Sequence, residues 1–324
     1  MFDDIDFEAA AQRIAGVVQR TPIVPFDAGD ARIELRLKLE NRQETGAFKA
    51  RGAWNNLSQL TDEERERGVV ATSSGNHGKA LAWAARRAGV KATIVMPADA
   101  YPNKIQACRD QEAEVVLGDD RAHAELLCHE RVEAGAKLIH PYDAARTVEG
   151  AGTVGLEIAE DWPEVEVVVV PVGGGGLSAG SSLALKRKLG DGVKVFAVEP
   201  AGAPSMTLGL AAGRAVPVPE ITTNVQGLCP LNSGELNVAI AGETLDGCFT
   251  LEDGDIYAAQ RTLVHAGEVV EPAGAAAPAF VLCGHLPAEL LEGRSAANPL
   301  RVCVVVSGGN PAPDQLAAIR AEAG

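Results

Sequence analysis

Apolar residues recur at helical spacing at Phe7, Ala10, Ala11, Ile14, Val17 and Val18, which predicts an amphipathic helix over residues 6–19. Pro22 and Pro25 then force extended chain. Ile33, Leu35, Leu37 and Leu39 alternate with polar neighbours, the two-residue period of a strand over 32–39. Ala50, Ala53, Trp54, Leu57 and Leu60 form one stripe of a second helix, with Lys49 near its start and at the border of that stripe. From residue 68 strands and helices alternate. Strands are predicted at 69–73, 91–96, 115–117, 137–140, 165–172 and 193–198, and helices at 76–88, 102–113, 121–134, about 147–161 and 177–189. The segment 200–250, rich in Gly, Pro and Asn, shows no clear period. Helices at about 253–267 and 273–291 precede a strand at 301–306, and a last helix starts near Pro311.

Alternating strands and helices predict an α/β fold of two open, mostly parallel twisted sheets flanked by helices. Residues 67–140 carry enough strands for a small α/β domain of their own. Residues 1–66 and 141–324 then form a larger, discontinuous domain. Composition supports a globular chain, with 46% hydrophobic and 23% charged residues. The formal net charge of −15 argues against nucleic acid or an anionic membrane as partner, so an anionic ligand must be captured by local dipoles. No apolar run reaches the ~18 residues that span a bilayer, and the acidic start of the chain lacks the features of a signal peptide. The six cysteines are scattered without a C-x-x-C, which reads as reduced thiols in a cytoplasmic protein. Cys128 and His129, with His123 nearby, lack a second ligand pair, so no metal is expected.

Three glycine-rich turns follow apolar strands: Ser73-Ser74-Gly75-Asn76-His77-Gly78, Gly173-Gly174-Gly175-Gly176 and Ser307-Gly308-Gly309-Asn310. In an open parallel sheet such turns lie beyond the carboxyl ends of the strands, where ligands bind. Four successive glycines let backbone N–H groups wrap an anion at a helix N-terminus. The serine turn presents hydroxyls and N–H groups suited to a carboxylate, or it caps its helix and nothing more. One amine at Lys49 together with these turns points to a phosphorylated aldehyde cofactor held covalently. A rival reading is a nucleotide-binding Rossmann protein that takes NAD, since Gly174-x-Gly176-x-x-Ala179 follows a strand and Glu199 ends the next.

Taken together the residues resemble the fold-type II pyridoxal-phosphate enzymes, whose fold is like that of the tryptophan synthase β chain, and within them the serine/threonine dehydratase and serine racemase group. The resemblance rests on Glu40-Asn41, the run Thr45-Gly46-Ala47-Phe48-Lys49-Ala50-Arg51-Gly52-Ala53, the serine turn, Pro171-Val172 with the tetraglycine, Glu271-Pro272-Ala273-Gly274, and Ser307-Gly308-Gly309-Asn310. It implies pyridoxal 5'-phosphate as cofactor, joined to Lys49 with Phe48 against its ring. It further implies that N–H groups of Gly173, Gly174, Gly175, Gly176 and Leu177 hold the phosphate, that Asn76 meets the ring hydroxyl, and that Ser307 meets the pyridine nitrogen. A substrate carboxylate would lie on Ser73, Ser74, Asn76 and His77. Lys49 would act as the base for the α-proton and Ser74 as the acid or base on the opposite face.

The implied activity is that of an ammonia-lyase eliminating water from a β-hydroxy-α-amino acid, serine or threonine by default, to give a 2-oxo acid and ammonia. The alternatives are racemisation and a dehydratase specific for 3-hydroxyaspartate or phenylserine. A homodimer is implied by the resemblance alone. Two departures from the family pattern, Ala47 beside the lysine and Ala151 between Gly150 and Gly152, bear on the substrate pocket. A third bears on cations. Racemases of this group hold a metal through an acidic pair after a strand, and here Glu199 is present while Ser205 takes the second place.

Overall fold

The computed structural model describes residues 2–322. Two sheets organise the chain. The larger has six strands, β1 (Ile23–Phe26), β2 (Ile33–Lys38), β7 (Val167–Pro171), β8 (Lys194–Pro200), β9 (Gly247–Leu251) and β10 (Leu300–Val305), in the order β1-β2-β10-β7-β8-β9. Only β1 runs antiparallel, as the edge arm of a hairpin with β2. The smaller sheet is wholly parallel and joins β3 (Val69–Thr72), β4 (Ala92–Pro97), β5 (Glu114–Gly118) and β6 (Lys137–Leu138) in the order β5-β4-β3-β6.

The helices cover both faces of the large sheet. Val167 and Val169 point toward α11 (Asp253–His265) and α12 (Pro272–Leu282), in one core with Phe280 and Ala276. Val168 and Val170 point the other way, toward Ile158 of α7 (Ala145–Asp161) and Leu185 of α8 (Gly176–Leu189). Burial on both sides is why β7 reads as an unbroken apolar run rather than an alternating one. Around the small sheet, Val69, Ala71, Ile94 and Met96 share a core with Leu81 and Trp83 of α4 (Asn76–Ala88) and Leu57 of α2 (Lys49–Leu57). Its other face packs on Ala124 and Cys128 of α6 (Arg121–Glu133).

Several boundaries differ from the periodicity. The first helix, α1 (Phe7–Ile14), ends well before residue 19, where Gly16 breaks the ladder. α5 (Pro102–Arg109) stops short of 113, and α12 stops at Leu282 because Gly284 and Pro287 follow. α3 (Asp62–Arg67) carries no apolar stripe and is held by a capping box between Thr61 and Glu64. The unreadable segment contains α9 (Ser205–Ala212), α10 (Glu235–Thr244) and β9. The last helix, α13, spans Pro313–Glu322.

The glycines around residue 151 serve helix packing. A methyl at Gly150 would come within 2.6 Å of the Arg51 carbonyl, and one at Gly180 within 2.8 Å of the Gly152 backbone nitrogen. These contacts press α7 against α2 and α8, and Ala151 lies in that core.

A buried ionic group fixes α2. The Arg51 guanidinium, fully buried, donates through Nη1 to Glu157 at 2.6 Å, through Nη2 to Glu40 at 2.8 Å and through Nε to Glu40 at 2.8 Å. Lys38, also fully buried, donates to Glu157 at 2.5 Å and to the Thr21 carbonyl at 2.7 Å. The two cations and two carboxylates thus satisfy one another, two residues along the helix from Lys49.

Candidate active site

Lys49 opens α2, and the loop before it is stitched to the turn after β10. Phe48 N–H donates to the Ser307 carbonyl at 3.1 Å, Gly309 N–H to the Gly46 carbonyl at 2.7 Å, and Asn310 Nδ2 to the Thr45 carbonyl at 2.9 Å. Gly46 sits at φ +77°, a left-handed conformation that glycine adopts without strain, and the Asn310 amide occupies the space of any Cβ there. The Lys49 amine donates to the Pro141 carbonyl at 2.6 Å and lies 5.0 Å from the Phe48 ring centroid. Its stem is half-buried, yet desolvation of the amine brings its pKa down to about 8.

At the end of β7, a methyl on Gly174 would overlap the Tyr142 ring, one on Gly173 would come within 2.9 Å of the Gly227 carbonyl, and one on Gly176 within 2.9 Å of the Tyr142 carbonyl. Gly175, at φ +94°, turns the chain into α8 and leaves only 2.9 Å between a methyl and Asn237 Cβ. The carbonyls of Gly173 and Gly174 turn away from α8, and that of Gly175 opens the helix ladder by accepting from Ala179 N–H at 2.8 Å. Gly173 accepts from Ser205 Oγ at 3.2 Å, Gly174 from Gly234 N–H at 3.0 Å and Asn237 Nδ2 at 2.8 Å, and Gly175 from Ser178 Oγ at 3.0 Å. Among the described residues, no protein acceptor takes the N–H groups of Gly173, Gly174 or Gly175. Gly176 and Leu177 follow as the first turn of α8, whose N–H groups have no partner within the helix. A concave row of free donors at a helix N-terminus, with no room for any Cβ, fits a phosphate.

In the turn after β3, Ser73 performs the capping: its Oγ accepts from Gly75 N–H at 3.3 Å and Gly78 N–H at 3.1 Å. Ser74 is exposed. Asn76 is pinned, with Oδ1 accepting from Asn310 Nδ2 at 2.8 Å and Nδ2 donating to the Glu271 carboxylate. Burial pushes the pKa of Glu271 up. His77 is buried beneath the turn, and its Nε2 lies 2.8 Å from the Ile139 carbonyl. A carbonyl only accepts, so Nε2 carries the proton. Burial, assisted by the charge of Lys49, lowers the pKa of the imidazole to about 3. His77 is therefore neutral, and its ring is committed to the backbone rather than offered to a ligand. Ser307 is buried, with Oγ donating to the Ala273 carbonyl at 3.3 Å.

The structure thus brings Lys49, the serine turn and the Ser307 turn together through Asn76–Asn310 and Phe48–Ser307, and brings the tetraglycine beside them through the Pro141–Tyr142 segment, which receives the Lys49 amine and packs on Gly174. Sequence reasoning missed Tyr142, which packs on Gly174, and Asn237, which also donates to the Tyr142 carbonyl at 3.1 Å. Neither lies in a recognisable motif. Glu199, the candidate ribose ligand of a nucleotide site, is fully buried and accepts from Met206 N–H at 2.9 Å and Thr207 N–H at 2.8 Å. It caps α9 and faces no open crevice, which removes the main support for an NAD site.

Comparison with known proteins agrees. The family described as pyridoxal-phosphate dependent enzyme matches residues 14–308. The L-threonine ammonia-lyase of Thermotoga maritima is 38% identical over 313 residues, covering 94% of this chain and 75% of that protein. A serine racemase of Oryza sativa subsp. indica is 34% identical over 306 residues, covering 93% and 88%. The solved structure of maize serine racemase superposes with a TM-score of 0.88 at 33% identity, covering 98% of this chain and 96% of that one.

Proposed function

This chain belongs to the pyridoxal-phosphate dependent enzyme family, as a member with the fold-type II architecture, and from that premise we propose that it is an ammonia-lyase acting on a β-hydroxy-α-amino acid such as L-serine or L-threonine. The observation that carries the reading is the pairing of a desolvated lysine amine with a row of unpartnered N–H groups at the head of α8, linked through the Pro141–Tyr142 segment. Pyridoxal phosphate, when bound, supplies an aldehyde for covalent capture of amines and an electron sink for the α-carbon.

The chain's own residues do the rest. N–H groups of Gly173 to Leu177 hold the phosphate, and Phe48 and Ser307 border the ring. Lys49 anchors the cofactor and, once displaced, holds and moves the α-proton at Nζ, a task suited to an amine whose pKa is brought down to about 8. The N–H groups and hydroxyls of the serine turn orient the substrate carboxylate at the start of α4. His77 supports that turn from beneath as a neutral ring. Tyr142 and the tetraglycine wall off the opposite side of the cleft.

Capture of the cofactor needs the neutral amine. Apoenzyme is expected to take up pyridoxal phosphate at a rate that rises with pH through a midpoint at about 8 and levels above it. A midpoint near 10.5, followed by stopped-flow absorbance, would contradict the desolvated state of Lys49.

Racemisation is the second reading, favoured by the exposure of Ser74 at the mouth of the serine turn. Ser74→Ala is expected to abolish interconversion of D- and L-serine, measured by chiral chromatography, while elimination from the L-isomer persists. Assay of serine, threonine, 3-hydroxyaspartate and phenylserine in both configurations tests the lyase itself, and absence of 2-oxo acid from all of them refutes it. The proposal places the enzyme in the cytoplasm, in keeping with its six free cysteines, and as a homodimer.

A further inference from the structure

The cofactor turn is held from outside by two side chains that the reaction does not use. Asn237, fully buried on α10, donates from one amide nitrogen to the carbonyls of Gly174 at 2.8 Å and Tyr142 at 3.1 Å. It thereby ties together the tetraglycine and the segment whose Pro141 carbonyl receives the Lys49 amine. Ser205, fully buried at the start of α9, donates to the Gly173 carbonyl at 3.2 Å. The Ser205 and Ser233 hydroxyls lie 2.9 Å apart. The Ser205 hydroxyl also lies 3.4 Å from the Glu199 carboxylate, but the Gly173 carbonyl at 3.2 Å is the nearer acceptor and has no other partner among the described residues, so Ser205 donates to Gly173 and Ser233 to Ser205.

A peptide plane that points its carbonyl outward points its N–H inward. Fixing the carbonyls of Gly173 and Gly174 therefore fixes the donors that face the phosphate. Glycines gain most from such restraint, because they lose the most backbone freedom on ordering.

A divalent cation does not fit at this place. Glu199 is the nearby carboxylate, and it is already engaged by Met206 N–H, Thr207 N–H and the Cys248 thiol at 3.7 Å. Among the described residues no group of three acidic or metal-ligating side chains occurs. Even magnesium, which keeps several waters, binds through one or two carboxylates, and both oxygens of Glu199 are already taken by backbone N–H groups, with Ser205 standing where a second acid would be needed.

We propose that Asn237 and Ser205 are positioning residues for the phosphate end of the cofactor, holding the tetraglycine turn by hydrogen bonds and without a divalent cation. The inference rests on the reading of that turn as the pyridoxal-phosphate cradle. Apoenzyme prepared from the purified holoenzyme is titrated with pyridoxal phosphate and, separately, with pyridoxal, which has the ring and aldehyde but no phosphate. Both titrations are run in chelator and in added magnesium. Asn237→Ala weakens pyridoxal phosphate by about tenfold or more, the effect of losing two neutral hydrogen bonds, and leaves pyridoxal affinity unchanged. Asn237→Asp, of the same shape without the donor hydrogens, gives the same selective loss should the alanine variant fold poorly. Ser205→Ala shows a smaller selective loss. Wild-type affinity is the same in chelator and in magnesium. Variants that bind pyridoxal phosphate like the wild type, that weaken both ligands equally, or a wild type that loses affinity in chelator overturn the inference. A wild type that binds no cofactor under any condition sinks the underlying reading instead.

Discussion

Lys49→Ala is expected to lower turnover by about four orders of magnitude, the upper range for loss of a general base, because the same nitrogen also anchors the cofactor. The fold should survive. The amine makes one hydrogen bond, to the Pro141 carbonyl, and burial already works against its charge. Other lysines near the cleft are committed elsewhere. Lys38 is locked to Glu157, and Lys79 and Lys104 donate to oxygens of Asn310 at 2.8 Å each. Borohydride reduction of the wild type followed by peptide mapping should place the cofactor on Lys49 alone, and the variant should show no covalent label with an unchanged far-ultraviolet circular dichroism spectrum. A label on Lys79 or Lys104, or a variant keeping a tenth of wild-type activity, would defeat the assignment.

Arg51→Met should cost about 3–5 kcal/mol of stability, the range for breaking a buried ion pair by removing one partner. That is a large part of the ~5–15 kcal/mol that holds a typical domain together. The substitution leaves Glu40 and Glu157 with Lys38 as their single buried cation. In the wild type, burial raises the pKa of Glu40, but the Arg51 charge and hydrogen bonds outweigh it and hold the pKa below the ordinary range. The stability from that carboxylate is therefore present above an unfolded pKa of about 4.3 and lost as pH falls through the lower folded value. In the variant burial acts unopposed by the guanidinium, so the folded state binds the Glu40 proton more readily than the unfolded chain. The Glu40 contribution to its stability then grows as pH falls. The gap between the two proteins in urea unfolding should narrow from neutral pH toward pH about 5. A penalty below about 1 kcal/mol, or one independent of pH, would show that the quartet is not the restraint on α2 described above.

How legible each part was follows from how local its cause is. The run Val167–Pro171 announced a strand buried on both faces, and the glycines after it announced a turn that must approach another group closely. The lysine at the head of α2 could be placed because the apolar stripe behind it has helical period. By contrast α9, with sequence SMTLGLAA, is apolar on nearly every side, and α10 carries Ala239 and Gly242 between the glutamates of its exposed face and buries the polar Asn237 and Thr244 on the other. Neither presents the contrast between faces on which periodicity depends. His77 looked like a ligand because it stands in the serine turn, yet its ring points beneath that turn to a strand-end carbonyl. Ser74 and Asn76 were the capping candidates, being adjacent to the helix start, yet the fold gives that task to Ser73.

Sequence by itself determined most of the strand and helix order outside residues 200–250, the two mostly parallel sheets, the lysine at the head of α2 and the glycine tract, since each is written in spacing over a few residues. Tertiary structure alone decided which groups face the cleft and which are spent on holding it. The carbonyl of Gly174 meets Asn237 across 63 residues, and Asn76 meets Asn310 across 234. A hydrogen bond of that reach depends on where two distant backbones come to rest after the cores have packed, and no local pattern encodes that position.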